Sequence, residues 1–158
     1  MDVFCSNISF KSIVIKDGGL NFIENNDGKD AVKKLVDSEA KYKDFNWNLI
    51  VNKDGYSLYS PITKKTYAGE FFVRKHRKIE NDNTVRDQLV IRTGEKNKNR
   101  FVIDYPSRTE VLKVYKNFKN AKGLSKMLIL LEVLEQKLAD NRLKKRVLSI
   151  IKSNRVFS

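Results

Sequence analysis

The side chains with the clearest chemical potential are cations. Arg74-Lys-His-Arg-Lys78 sets five basic or potentially basic residues in succession, and Lys96, Lys98 and Arg100 form a second cluster. Charges of this kind neutralise phosphates and release counterions from a polyanion. Lys113 and Lys116 extend the candidate set. The chain has 23 Lys and 9 Arg, a balance suited to phosphate neutralisation more than to bidentate reading of base edges. Aromatic residues run through the same region, among them Tyr67 and Phe72, on which bases could stack. The bland alternative is a solvated hairpin end and an aromatic core.

Little else offers chemistry. His76 is the only histidine, so two-histidine acid–base schemes and histidine-rich metal sites are out. No P-loop, no nucleophile-elbow serine and no zinc-finger spacing occurs. Asp87, Asp104, Glu110 and Lys113 are the one set that could be drawn into a small metal-dependent nuclease. No catalytic residue, no metal site and no cofactor is expected.

The charge is lopsided. Residues 1–60 hold 8 Lys against 9 acidic residues, whereas residues 61–158 hold 24 Lys and Arg against 10. A basic half beside a neutral half points to a polyanionic partner. The whole chain of 158 residues carries a net charge of +13. Its Lys- and Asn-rich composition resembles that of AT-rich genomes, viral and phage genomes included. The single cysteine, Cys5, rules out an internal disulfide and fits a reducing compartment. The N-terminal residues show no secretory pattern, and the Asn7-Ile8-Ser9 glycosylation match reads as chance. A soluble intracellular protein is expected, in cytoplasm or nucleus and without a membrane partner.

The elements that must carry these groups follow from periodicity. Ile8, Phe10 and Ile13–Ile15 read as a strand, turning at Asp17-Gly18-Gly19 into a short partner over Leu20–Ile23. Lys29–Tyr42 has helical spacing at Val32, Leu35, Val36 and Ala40. From Phe45 the period becomes two. Strands are expected around Trp47–Val51, Tyr56–Leu58, Tyr67–Arg74, Leu89–Ile91 and Arg100–Tyr105, with Asn52-Lys-Asp-Gly55 as a hairpin turn. Pro106 ends the sheet. Ser107-Arg-Thr-Glu110 is a capping box that opens a helix with Val111, Val114, Tyr115 and Phe118 on one face.

Gly123–Ala139 is the most apolar stretch. Met127, Leu131, Leu134 and Leu138 line one face of a helix, while Leu128, Ile129 and Val133 cover other sides and suggest a face for a second copy. After Leu138 the stripe loses phase, so a break is expected near Asp140-Asn141. A last helix would then turn Leu143, Val147, Ile150 and Ile151 inward.

The expected fold is α+β: an N-terminal hairpin and helix, an antiparallel meander of about five strands, and three C-terminal helices. It forms one domain over residues 1–158, with a weak seam near residue 106. The expected function is non-enzymatic nucleic-acid binding through Arg74, Lys75, Arg77, Lys78, Lys96, Lys98, Arg100, Lys113 and Lys116. The alternative is an assembly module that uses Leu128, Ile129 and Val133 as a homo-oligomer face or docks on an acidic protein.

Overall fold

The computed structural model describes Ile8, Ser9 and residues 11–156. Cys5, Asn7 and Phe10, all named above, lie outside the described residues. The architecture is mixed α+β, with two β-sheets and five α-helices among the described residues.

The first sheet has the order β1 (Ile8–Ser9), β2 (Ile13–Ile15), β3 (Asn48–Asn52), β4 (Gly55–Tyr59), β5 (Thr66–Ala68). β1 and β2 pair as an antiparallel hairpin within Ile8–Ile15, where a single strand was expected. β2 and β3 then run parallel, Ile13 opposite Leu49 and Ile15 opposite Val51. Parallel neighbours need a long crossover, and α1 (Gly19–Asp27), α2 (Asp30–Asp37) and α3 (Glu39–Tyr42) supply it. This corrects the expectation of a strand over Leu20–Ile23. A short apolar run cannot by itself separate strand from helix. The crossover decides: Ile23 faces the core, fully buried. Gly19 opens α1 because a Cβ there would overlap the Val51 carbonyl on β3.

The second sheet is a three-stranded meander, β6 (Phe71–Ile79), β7 (Val85–Thr93), β8 (Asn99–Tyr105). The expected single meander is therefore divided. The strand foreseen over Tyr67–Arg74 breaks at Gly69, whose φ of +94° lies in the left-handed region that favours glycine. Tyr67 goes to one sheet and Phe71 to the other. Thr93 Oγ1 donates to the Glu70 carbonyl (3.0 Å) and ties the break to β7.

After Pro106, Ser107 caps α4 (Arg108–Asn120), its Oγ accepting from the Glu110 backbone N–H at 3.3 Å. Val111 and Phe118 of α4 are buried, packed in one cluster with Leu89, Ile91 and Ile103 of the meander. α5 runs unbroken from Leu124 to Val156. There is no break at Asp140-Asn141, and two C-terminal helices stand where three were expected. Loss of a side-chain stripe does not interrupt backbone i→i−4 bonding, and the stretch holds no proline or glycine. Met127, Leu130, Leu131, Leu134 and Leu138 are buried. Leu143, Val147, Ile150 and Ile151, expected inward, are 41–60% exposed.

α5 is fixed to the first sheet at two points. Asp27, the last residue of α1, caps it: both carboxylate oxygens accept from the Leu124 backbone N–H at 3.2 Å, and Tyr56 donates to one of them at 2.6 Å. Gly123 fits there because any Cβ would collide with that carboxylate. Farther along, Glu135 accepts from the backbone N–H of Asn46 (2.8 Å) and Trp47 (3.0 Å) and from Asn46 Nδ2 (2.9 Å).

The oligomer face expected on α5 is partly taken up by the core. Val133 is buried, and Leu128 and Ile129 are half-buried against the core.

Candidate nucleic-acid interface

Strand register decides which cations share a surface, because cross-strand partners project to the same side of a sheet. On one side of the meander the rows are Val73–Ile91–Phe101 and Lys75–Leu89–Ile103, and most of their apolar members join the core beneath α4. On the other side the rows are Phe72–Arg92–Arg100, Arg74–Val90–Val102, His76–Gln88–Asp104 and Lys78–Arg86. This outer face carries Arg74, Lys78, Arg86, Arg92, Arg100 and His76 against one carboxylate, Asp104. Val90 is fully buried there yet stands outside the continuous core. The arginine stems around it are long enough to cover it.

Ion pairing is confined to one end of the face. Arg86 reaches Glu80 (3.3 Å) and Asp104 (3.8 Å), and Lys78 reaches Glu80 (3.8 Å). Asp104 also accepts from Gln88 Nε2 at 2.8 Å. Among the described residues, no carboxylate oxygen lies within 4.0 Å of Arg74, Arg92 or Arg100. Phe72 sits in the row of Arg92 and Arg100 with 51% of its surface exposed. Arg92 Nε is buried and has no hydrogen-bond partner among the described residues.

The nine expected binding residues divide three ways. Arg74, Lys78 and Arg100 lie on the outer face. Lys75 and Arg77 point to the helix side, where Lys75 Nζ stands 4.9 Å from the Tyr115 ring centroid and Arg77 reaches Asp87 at 3.7 Å. Lys113 and Lys116 are exposed on α4 on that same side of the sheet. Lys96 and Lys98 occupy the β7–β8 turn, at the opposite end of β7 from the β6–β7 hairpin. The sequence reading missed Arg86 and Arg92. Their signal was parity: Arg86, Arg92 and Arg100 all stand at even positions that the register brings to the side of Phe72 and Arg74.

Phe72 takes the exposed position foreseen for a stacking residue, but Tyr67 does not. It is 6% exposed, packs edge-on against Phe101 at 5.2 Å and pairs its hydroxyl with Thr63 Oγ1 at 2.9 Å. Trp47 completes that cluster, 5.7 Å from Phe101. A surface role for Tyr67 would need the seam between the sheets to open.

The nuclease set also comes apart. Asp87 is opposite Tyr105 and Asp104 opposite Gln88, so the two carboxylates project from opposite faces of the sheet. Among the described residues, no group of three His, Cys, Asp or Glu side chains is placed to hold a metal ion.

A groove of about 600 Å³ adjoins the outer face along the free edge of β6. Phe71, Phe72, Phe118, Met127 and Leu130 line it together with Glu70, Lys119 and Lys126. Lys126 Nζ lies 4.9 Å from the Phe118 ring centroid. Phe72 thus belongs both to the arginine row and to the lining of this groove.

No protein-family model matches the chain, and no curated protein or solved structure is significantly similar to it.

Proposed function

We propose that the protein binds nucleic acid, without catalysing a reaction, through the outer face of the β6–β8 meander. The observation that carries this reading is the row Phe72–Arg92–Arg100 with Arg74 beside it: three arginines that pair with no carboxylate among the described residues, on the same face as an exposed ring. Lysine-rich solvation alone would not call for this arrangement. Guanidinium groups make paired hydrogen bonds to phosphate oxygens and stack on bases, and an exposed phenyl ring offers a further stacking platform. Turning the Arg92 guanidinium toward a phosphate would also give its unpaired Nε–H an acceptor. An acidic protein could satisfy the charges, but it would leave Phe72 without a stacking partner.

The test is a salt titration of binding to single-stranded DNA, duplex DNA and RNA of equal length. Five phosphate contacts on a single strand give a slope near −3.5 in log K against log salt, roughly a hundredfold loss from 50 to 200 mM. Arg92→Ala with Arg100→Ala should lower both affinity and slope. Lys113→Ala with Lys116→Ala, on the helix side, should change them far less. Absence of binding at low salt, or equal effects from the two pairs, removes the reading.

A further inference from the structure

The least accounted-for surface is the end of α5. Residues 141–153 are exposed throughout. Five of the ten exposed large apolar side chains in the described chain lie on it: Leu143 (60%), Val147 (47%), Leu148 (56%), Ile150 (60%) and Ile151 (41%). At 3.6 residues per turn, Leu143, Val147, Ile150 and Ile151 fall within about 100° of the helix circumference. The centre of that stripe is rotated by about 170° from Leu138, the last α5 residue buried in the body. The body therefore does not cover the stripe. Lys144 borders it on one side and Arg146 on the other, and Arg142, Lys145 and Lys152 occupy the far face. From Asn141 to Val156 there are six cations and no carboxylate.

This charge pattern selects among occupants. A second copy laid along the stripe would bring cationic borders against cationic borders with no acid to pair them. The occupant must instead be apolar in the middle and anionic on both margins. We infer that residues 141–156 form an interfacial helix that lies on an anionic lipid surface. Leu143, Val147, Ile150 and Ile151 enter the boundary between headgroups and acyl chains, and Lys144 and Arg146 reach up to anionic headgroups. An anionic bilayer supplies those margins all along the helix, whereas a protein groove would need carboxylates built along both rims. The helix lies on the membrane and does not cross it: no helix among the described residues is long and apolar enough to span. The inference replaces the sequence-based expectation of no membrane partner, and it does not depend on the arginine face.

The experiment is co-sedimentation of the full chain with vesicles of phosphatidylcholine containing phosphatidylglycerol, and with vesicles of phosphatidylcholine alone. Binding is expected only to the anionic vesicles. Leu143→Glu with Ile150→Glu should weaken it at least tenfold while the helical circular dichroism and nucleic-acid affinity stay unchanged, since both sites are exposed. Lys144→Gln with Arg146→Gln should weaken it and flatten its salt dependence. The inference is overturned by absence of binding to anionic vesicles, or by equal binding of the Glu pair, which would leave the attraction to the sheet cations alone. It is also overturned if light scattering shows a dimer that the Glu pair dissociates, which assigns the stripe to a second copy. Tighter binding to calcium-loaded calmodulin, used as an acidic apolar groove, than to the vesicles would overturn it in favour of a protein groove.

Discussion

Two half-buried phenols contribute to the alkaline behaviour of the protein. Burial pushes the Tyr105 hydroxyl up to about 12, with the negative charges of Glu110 and Asp140 adding to the effect. Tyr56 is pushed up farther, by burial and by its hydrogen bond to Asp27. The folded state thus holds these protons more tightly than the unfolded chain, whose tyrosines titrate near 10. Their contribution to stability is complete below pH ~10; the Tyr105 part is lost as pH rises through about 12, and the Tyr56 part continues to fall at higher pH. Denaturant midpoints measured across this range should fall steadily for the wild type and less steeply for Tyr56→Phe. A second residue-scale case is Gly19. Its φ is unexceptional, so the constraint is purely one of space against Val51. Gly19→Ala should cost about 1–3 kcal/mol, as overpacking does, readable as a shift in the urea midpoint at unchanged slope.

The β6 strand gives its basic run a role beyond ligand binding. It is an edge strand, paired only with β7 among the described residues, and charged side chains on an edge discourage pairing with other chains. Lys75→Val with Arg77→Val should therefore raise light scattering on concentration even though neither residue lies on the arginine face. Unchanged scattering would show that the edge is guarded by the hairpin geometry alone. This element also marks what the sequence could show. Strand alternation, the Asn52–Gly55 turn, the Ser107 cap and the buried stripe to Leu138 depend on local chemistry, and all are present. The parallel pairing of β2 with β3, the division of the strands into two sheets and the sorting of cations by face depend on register between distant segments, which no local pattern records. Arg92 illustrates the gap. It stands between Ile91 and Thr93 with no basic run to announce it, and only its partners Phe72 and Arg100 give it a place.

At the scale of the whole molecule, the two sheets meet through side chains more than through backbone. Trp47 precedes β3, Tyr67 lies on β5 and Phe101 on β8, and their rings touch in sequence. Trp47 is the chain's only tryptophan and is 4% exposed. Nature has thereby placed a single fluorophore at the joint. Its emission should sit at short wavelength in the native protein and shift to the red as the halves separate. If one half melts first, the shift will precede the loss of far-ultraviolet ellipticity; if both go together, the two signals will superimpose. One indole is enough to tell whether this chain behaves as one cooperative body or two.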